Sequence, residues 1–550
     1  MRPVTFDGLF GWIHEPQDQR ADVGVVLISA VGRDERCAHL PYRLFADRLA
    51  AAGYPTVRYD HLGEGDSLGL ANPGTDALPC WLEGVERAIE KLRADSKVKK
   101  VVLAGVRLGA TLAAVSAAKA DGLILLAPVI DAGAWLKRLQ FASHALGGMR
   151  LDAPLDAGGL VLSTATMASL AELNLDGSAG VPAFIAAQNR MVETYCAKLA
   201  EHGARVTVSD FPGFEAMFLD AHSNLAPDDV FGRSIGWLAE TFGKPAIPSR
   251  PGDAPTPDPL RWPGASERPI EFGDRLQGVV CEPHQGDAST AVIFCNTGGD
   301  PRSGIGGFAT MAARRIALLG VSSLRFDFAG LGDSPANGSD ARTHVYEVSR
   351  QADLESAVSL MAERGAKRIA VVGICAGAFH AFECATSDPR VTDLFAVSPV
   401  KLTWRPGDSL SPGRIDDGKS TQSYVQAMIR SKTWRRLIAG QVDLVAVFRT
   451  LAQRNAERAE GWLTRRRHLS PLSKMRRLSA RGGRAMFLMG LDDGSVDQLA
   501  IHFGPNASGL KTIEEASIRL EPTLDHGLAR LGSRRIALRT LMDWLLNGAD

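Results

Sequence analysis

The feature that most constrains the fold of this chain is an internal repeat. Four blocks of the first half recur in the same order in the second half: residues 5–15 as 270–283, 23–35 as 290–302, 45–67 as 311–334, and 101–111 as 369–379. The spacing is kept as well, since Asp60 and Arg107 are 47 residues apart and Asp327 and Cys375 are 48 apart. Ordered blocks at a constant spacing predict two related domains in one chain.

The boundary between the two domains is predicted from composition. Residues 244–264 (KPAIPSRPGDAPTPDPLRWPG) are dense in proline and glycine and show no hydrophobic period, which is typical of a linker. The predicted domains are therefore residues 1–243 and 265–550. We expect the two domains to dock on each other within the chain, because a linker of this length permits it.

Short apolar runs alternate with amphipathic stretches in each half. In the second half, AVIFC, VSSLRFDF and RIAVVGI alternate with the helix-like FATMAARRIALLG and VSRQADLESAVSLMAERG. Apolar runs of this length between helices indicate parallel strands that are buried on both faces. The predicted class is doubly wound α/β with a mostly parallel sheet in each domain, and ligands are expected at the carboxyl ends of the strands.

Composition excludes several classes of protein. The 62 Lys and Arg balance the 62 Asp and Glu, so no overall charge favours nucleic acid as a partner. The seven cysteines show no CxxC spacing, which predicts neither a disulfide framework nor a zinc site, and we expect no metal or other cofactor. The first residues have no apolar core of a signal peptide, and no run of about 18 apolar residues predicts a membrane span. We expect a soluble, cytoplasmic protein.

The block RIAVVGICAGAF carries the main catalytic signal. A buried strand is followed by Gly373-x-Cys375-x-Gly377 and then by a helix, which is the pattern of a nucleophile elbow. The glycines are required because the turn is too tight for side chains, while Cys375 is exposed at a helix N-terminus that favours a thiolate. The alternative is that Cys375 is only a small buried residue in a glycine-rich chain.

Oxyanion donors are predicted next to the elbow. The N–H of Ala376 can bind a developing oxyanion, and a second donor is expected from Thr297 and Gly298 in the loop after the strand AVIFC. An acid and a histidine must follow in the chain. The strand RAMFLMG is followed by the predicted acid Asp493, with Asp492 in reserve, and the loop EPTLDHGLAR supplies His526 as general base.

Together these blocks resemble the α/β-hydrolase superfamily over nearly all of both halves. The GEGDS and GLGDS blocks after RYDH and RFDF are similar to those of its serine-aminopeptidase-like and exosortase-associated branches. Residues 213–238 resemble the histidine loop and closing helix of that group. The resemblance implies two tandem α/β-hydrolase domains, and it leaves the activity open because this fold supports many reactions.

The first domain departs from this pattern where chemistry would occur. Arg107 takes the nucleophile position, and an arginine that stays protonated is no nucleophile. The acid strand ends in Gln188 and Asn189, so His222 has neither partner. This domain is interpreted as a degenerate copy kept for stability or docking. The alternative is that Arg107 binds an anion.

A long basic insertion separates the last parallel strands of the second domain. Residues 401–484, where this superfamily places a cap, contain 19 Lys and Arg against 6 Asp and Glu. These charges are interpreted either as a solvated helix face or as an electropositive cover for an anionic substrate. The second interpretation predicts a small-molecule or carrier-bound acyl substrate with negative charge, such as a carboxylated sugar, a CoA thioester or a phosphopantetheine carrier.

Three classes of function follow. The first is a Cys-dependent acyl enzyme, hydrolase or acyltransferase, in which Cys375, His526 and Asp493 form a triad and an acyl-thioester is the intermediate. In having a cysteine at the elbow, the chain is similar to polyhydroxyalkanoate synthases and dienelactone hydrolases, which use Cys-Asp-His sets. The second class is an ordinary esterase or thioesterase, in which water always resolves that intermediate. The third is a catalytically silent pair of hydrolase folds that serves binding or assembly.

Overall fold

The computed structural model describes residues 1–145, 154–175, 180–187, 191–249, 256–286, 289–336, 345–347, 350–404 and 470–547. These residues form two compact units. The first unit comprises Met1–Ile270, Gly299–Met311 and Leu331–Asp333, and the second comprises Glu271–Gly298, Ala312–Gly330 and Ser334–Asp550. The first unit therefore includes two short segments from the second half of the sequence.

The strands up to residue 248 belong to the first unit. They are β1 Arg2–Phe6, β2 Leu9–His14, β3 Gln19–Arg20, β4 Val23–Ile28, β5 Thr56–Tyr59, β6 Lys100–Val106, β7 Gly122–Leu126, β8 Leu155–Ala157, β9 Leu160–Leu162, β10 Ala183–Ala186, β11 Val206–Ser209 and β12 Ile247–Pro248. Among the described residues, eight of them form one sheet in the order β1-β2-β5-β4-β6-β7-β10-β11. Its pairing is antiparallel from β1 to β5 and parallel from β5 to β11.

The later strands form a second sheet. They are β13 Leu260–Trp262, β14 Ala265–Phe272, β15 Leu276–Pro283, β16 Thr290–Phe294, β17 Ser322–Phe326, β18 Arg368–Ile374, β19 Val391–Val397, β20 Arg484–Gly490 and β21 Ala516–Glu521. In the described part of the chain this sheet has nine strands in the order β13-β14-β15-β17-β16-β18-β19-β20-β21. β15 pairs antiparallel with β17, and all pairs from β17 to β21 are parallel.

The two sheets have the same strand order. When β2 is matched with β15, the neighbours β5, β4, β6, β7, β10 and β11 correspond to β17, β16, β18, β19, β20 and β21. In the parallel part of each sheet, the two strands that come first in the chain lie in reversed order, β5 before β4 and β17 before β16. The remaining strands follow in chain order. The predicted class, two mostly parallel α/β sheets, is thus confirmed.

The helices connect the parallel strands of each sheet. They are α1 Gly32–Ala51, α2 Ala77–Ser96, α3 Leu108–Val115, α4 Ala132–Ala145, α5 Thr164–Glu172, α6 Met191–Glu201, α7 Phe214–Met217, α8 Asp228–Phe242, α9 Phe308–Ala317, α10 Arg350–Glu363, α11 Ala376–Ser387, α12 Pro471–Ala480, α13 Ser495–Phe503 and α14 Leu531–Leu546. The helices and strands that the sequence predicts in the second half agree with α9, α10, β16, β17 and β18 to within a few residues.

The central strands are apolar on both faces because helices cover both sides of a parallel sheet. All six residues of β4 are buried, as are six of the seven residues of β18. This burial explains why these strands have continuous Val, Ile and Leu rather than an alternating pattern. Burial of such side chains contributes about 1.5–3 kcal/mol each to the free energy of folding.

Three predicted segments lie partly outside the described residues. Residues 250–255 of the predicted linker are among these, while β12 and β13 occupy its described parts. β12 pairs antiparallel with β3. In the predicted cap, residues 405–469 are outside the described part of the chain, as are Gln188 and Asn189 of the first domain's acid strand.

Candidate active site

The second unit holds Cys375 on a sharp turn between β18 and α11. Cys375 has a φ of 55° and a ψ of −114°, a conformation that residues with a side chain rarely adopt. A Cβ on Gly373 would clash with the backbone of Gly377, and one on Gly377 would clash with the carbonyl oxygen of Asn296. The two glycines are therefore required by the close approach of backbone, as the elbow pattern predicts.

The elbow is held by the neighbouring strand. The N–H of Cys375 donates to the carbonyl oxygen of Val397, at the end of β19, over 2.9 Å. The Cys375 side chain is half-buried at the start of α11, where unpaired N–H groups favour negative charge. In this position the sulfur is accessible to a ligand, and the helix N-terminus stabilises negative charge that develops near it.

Asp493 and His526 lie together at the same edge of the sheet. Nδ1 of His526 is 3.0 Å from both carboxylate oxygens of Asp493, and the N–H of Ser495 donates to Oδ1 of Asp493 over 2.8 Å. Burial raises the pKa of Asp493, but the hydrogen bond and charge of His526 outweigh this and hold it below its ordinary value. Asp493 is buried and Asp492 is exposed, so the structure places the first-choice acid, not the reserve, beside His526.

His526 also hydrogen bonds with the Cys375 side chain. Because Nδ1 faces Asp493, Nε2 is the nitrogen that remains for Cys375. Burial lowers the pKa of His526, yet the charge of Cys375 and the hydrogen bond with Asp493 raise it well above its ordinary value. The three predicted side chains are therefore in contact, in the order Cys375, His526, Asp493.

The loop that carries His526 is fixed by its neighbour Asp525. The carboxylate of Asp525 accepts from the N–H groups of Ala529 and Arg530 over 2.6 and 3.1 Å, and its own N–H donates to Oγ of Ser533. Sequence reasoning singled out the histidine but missed this role. The signal was present, because an aspartate in a loop commonly accepts from backbone N–H groups a few residues further along the chain.

The predicted oxyanion donors lie beside the elbow. Ala376 is the first residue of α11, and Thr297 and Gly298 directly follow Asn296, whose carbonyl oxygen contacts Gly377. The Asn296 side chain donates to Oδ1 of Asp327 over 2.9 Å and accepts from the N–H of Phe328. This buried network fixes the start of the loop. The sequence does not reveal this role, because Asp327 and Phe328 lie about 31 residues after Asn296 in the chain.

Arg107 occupies the corresponding turn of the first unit. Its Nε is 3.2 Å from Oδ2 of Asp34, its Nη1 donates to the carbonyl oxygen of Ala127, and its guanidinium lies 5.8 Å from the ring centre of Phe214. His222 is exposed. The guanidinium is thus already engaged by a carboxylate, a carbonyl and a ring, which weakens the alternative of a free anion site.

In the described end of the basic insertion, residues 470–484, cationic side chains bind partners within the second unit. Lys474 pairs with the carboxylate of Glu383, and Arg484 lies 2.8 Å from Oδ1 of Asp393. Arg481 donates to the carbonyl oxygens of Asp388 and Val391 over 2.9 and 3.1 Å. These three cations therefore support the fold, and the electropositive cover predicted for the insertion remains a prediction.

Two kinds of feature are absent from the described residues. Within them, no helix is both long and apolar enough to cross a membrane. In the same ranges, His, Cys, Asp and Glu side chains form no group of three that could hold a metal ion.

Comparison with known proteins supports the fold. An open, mostly parallel sheet whose central strand ends in a nucleophile elbow defines the α/β-hydrolase fold. Residues 24–185 match the family model described as serine aminopeptidase, S33. This match places residues 24–185 in the α/β-hydrolase superfamily, as the sequence resemblance predicted. The family match spans less than a third of the chain and lies in the first unit, around Arg107 rather than Cys375.

Similar solved structures include esterases and hydrolases. Est1E from Butyrivibrio proteoclasticus, with ferulic acid bound, is 16% identical, covers 44% of this chain and 100% of its own, and has a TM-score of 0.35. The Pyrococcus furiosus esterase Pf2001 is 14% identical over 52% and 92%, with a TM-score of 0.31. The α/β hydrolase GrgF from Penicillium sp. sh18 is 17% identical over 52% and 98%, with a TM-score of 0.30. No curated protein matches the chain in sequence. At these identities and TM-scores, the comparisons identify no substrate.

Proposed function

We propose that the second unit is a cysteine-dependent enzyme that acts on an ester or thioester through an acyl-Cys intermediate. The observation that carries the proposal is that His526 contacts Cys375 on one side and Asp493 on the other. A nucleophile, a base and an orienting carboxylate in this order are the parts of a hydrolytic triad. The match of residues 24–185 to a hydrolase family supports a hydrolytic role for the chain.

The first step is attack by Cys375. Nε2 of His526, whose pKa is raised, takes the proton of Cys375 as the sulfur attacks. The sulfur forms a bond to the carbonyl carbon, and the electron pair of the C=O bond moves to oxygen. The N–H of Ala376 and the backbone of Thr297 and Gly298 are the proposed donors to this oxyanion. Removing one such donor typically costs about 10²–10³ in kcat.

The intermediate then collapses. The bond to the alcohol or thiol leaving group breaks, and Nε2 of His526 gives that group its proton. Asp493 keeps the imidazole in the orientation that this transfer requires. Neutral His526 next takes a proton from an acceptor that attacks the acyl-thioester, and returns it to the sulfur as the C–S bond breaks. Water as acceptor makes the enzyme a hydrolase, whereas an alcohol, amine or thiol makes it an acyltransferase.

The alternative is that the chain is a catalytically silent binding or assembly protein. Arg107 in the nucleophile position favours this for the first unit, because its guanidinium is held by Asp34. We therefore propose a supporting role for the first unit and chemistry in the second. A negatively charged acyl substrate, either a small molecule such as a CoA thioester or one bound to a carrier, is the proposed substrate class, since the predicted cap has a net positive charge.

Intact-mass spectrometry tests the proposal. The full chain is incubated with 4-nitrophenyl esters and N-acetylcysteamine thioesters of several acyl groups, and adducts are mapped by peptide analysis. We expect the wild type to gain one acyl mass on Cys375 and the Cys375→Ala variant to gain none. Cys80→Ala removes another partly buried cysteine and serves as the matched control. Equal acylation of Cys375→Ala, or no acylation by any reagent, would overturn the proposal.

A further inference from the structure

An aromatic cluster in the second unit lies next to Cys375. Tyr346 and Phe379 form one buried apolar cluster with Ala376, and the partly buried Trp404 packs against it. Ala376 follows Cys375 directly, and Phe379 is three residues further on, so both lie on one face of the first turn of α11. The cluster is therefore adjacent to the proposed nucleophile and oxyanion donor.

The rings are arranged in favourable geometries. Tyr346 and Trp404 are stacked, with ring centres 4.7 Å apart and planes 17° from parallel. Tyr346 meets Phe379 edge to face at 5.4 Å. Because Trp404 is only partly buried, it presents aromatic surface beyond the packed pair.

His380 anchors this cluster to α11. Its Nε2 is 2.7 Å from the carbonyl oxygen of Val345, and its Nδ1 is 3.4 Å from Nε2 of Gln351. Burial, together with the charge of Arg350, lowers the pKa of His380 to about 3, so the ring is neutral. Gln351 donates to Nδ1, and Nε2–H therefore donates to Val345. This bond fixes the backbone next to Tyr346 over the helix that begins after Cys375.

Tyr346 also lies in the electrostatic field of the nucleophile. Burial and the negative charge of Cys375 raise the pKa of the Tyr346 hydroxyl well above its ordinary value. The hydroxyl stays protonated at any pH at which the protein would act. The ring is thus a neutral, rigid support for the stacked Trp404.

We propose that Trp404, backed by the buried rings of Tyr346 and Phe379, forms an acyl-binding wall that selects acyl groups with a flat apolar part, aromatic or conjugated. This inference rests on the proposed function, since it places the acyl group of the Cys375 intermediate on the wall. A flat group can stack on such rings, whereas a carboxylate on the acyl chain would lose its hydration there. Any negative charge of the substrate then belongs to the leaving group or carrier, not to the acyl group.

The test measures selectivity at Cys375 without requiring turnover. The full chain is alkylated with N-benzyl and N-methyl chloroacetamide, and the rate on Cys375 is followed by mass spectrometry. The benzyl-to-methyl rate ratio is divided by the same ratio for glutathione. We expect this relative preference to be about three- to tenfold in the wild type, which is the range that a good aromatic contact gives. Trp404→Ala and Tyr346→Ala should bring it close to one.

Two further variants distinguish an effect of the wall on selectivity from a general loss of stability. Tyr346→Phe keeps the ring and should keep the preference, and Phe503→Leu removes a ring that packs on Phe487 and serves as the control. A wild-type ratio equal to that of glutathione, or an unchanged preference in folded Trp404→Ala, would overturn the wall. Failure of every ester to acylate Cys375 would instead overturn the proposed function, and the alkylation ratio would still report on the wall.

Discussion

Arg107 and Cys375 hold the same backbone conformation, with φ angles of 54° and 55° and ψ angles of −123° and −114°. Each N–H donates to the last carbonyl oxygen of the adjacent strand, from Leu126 in one case and Val397 in the other. Such a conformation costs about 1–3 kcal/mol for a residue with a side chain. The first unit keeps the elbow although Arg107 is no nucleophile. The strained backbone conformation is therefore imposed by the packing of the strand and the helix, and not by the reacting side chain.

We predict that Arg107→Ser creates no hydrolase in the first unit. The hydroxyl would stand on a correct elbow, but His222 is exposed and Asp34 would lose its cation. Ester hydrolysis is measured in a Cys375→Ala background, where we expect no gain over Cys375→Ala alone. Because Arg107 and Asp34 are partly exposed, the stability cost should stay below about 1 kcal/mol. New turnover in the double variant would show that the first site is only one residue from activity.

We predict that Cys375 reacts with iodoacetamide at pH 6 at least about tenfold faster in the folded than in the unfolded protein. His526 hydrogen bonds with Cys375 and can take its proton as the sulfur attacks, whereas a free thiol, with a pKa near 8.5, is under about 1% ionised at that pH. Mass spectrometry of the labelled peptide gives both rates. The advantage should shrink in His526→Ala and as the pH approaches about 8.5. Equal rates at pH 6 would contradict activation of Cys375 by His526.

Asp493 and Asp492 provide a matched pair of carboxylates. Asp493→Asn removes the negative charge that orients and stabilises the His526 imidazolium, so we expect kcat to fall by about 10³–10⁴. Asp492→Asn alters the adjacent, exposed carboxylate and should leave kcat within about twofold. The measurement is turnover of whichever ester acylates Cys375. Comparable losses in both variants would mean that the loop, rather than the Asp493 contact, is being disturbed.

The sequence predicts the elements of this site better than their contacts. β18 and the elbow follow from an apolar run and two glycines, both local signals, and His526 follows from its late position in the chain. The choice between Asp492 and Asp493 could not be settled from the sequence, because it depends on how the chain turns after Gly490. A Cβ there would clash with the carbonyl oxygen of Leu524, so the turn is set by a loop 34 residues away.

The sequence also did not predict which segments of the chain make up the first unit. Arg302 and Asp333 belong to this unit although they lie in the second half of the sequence. The repeat assigns both residues to the second domain, whereas Asp333 pairs with Arg58, which lies 275 residues earlier in the chain. Such pairing depends on tertiary contacts of oppositely charged side chains, which leave no periodic signal in the sequence.

We predict that Asp333→Asn destabilises the first unit by about 3–5 kcal/mol. The carboxylate is buried and lies 2.6 Å from both Arg58 Nη2 and Arg302 Nη1. Its removal deprives the buried Arg58 of this charge and leaves Arg302 with its other carboxylate partner, Asp66. Asp220→Asn is the control, because its pair with Arg33 is about half exposed and should contribute less than about 1 kcal/mol. Guanidinium unfolding curves give both values. A loss below about 1 kcal/mol for Asp333→Asn would contradict this role of the carboxylate.

The stability contribution of His39 should depend on pH. Its Nδ1 is 2.8 Å from Oε1 of Glu35 and its Nε2 is 3.2 Å from Oδ1 of Asp333. Burial alone would lower the pKa of His39, but the two carboxylates raise it from 6.5 to about 10. A folded-state pKa above the unfolded value means that the stabilisation is fully present below about pH 6.5. It is then lost as the pH rises toward 10.

We therefore expect His39→Gln to cost roughly 2–5 kcal/mol of unfolding free energy at pH 6 and progressively less toward pH 10. Thermal or guanidinium unfolding of both proteins at pH 6, 8 and 10 measures the difference. His144→Gln replaces an exposed histidine and should show no comparable trend. A deficit that stays constant across this range would mean that His39 acts by packing and neutral hydrogen bonds. A deficit that closes as the pH rises requires its positive charge between Glu35 and Asp333, because glutamine cannot supply that charge at any pH.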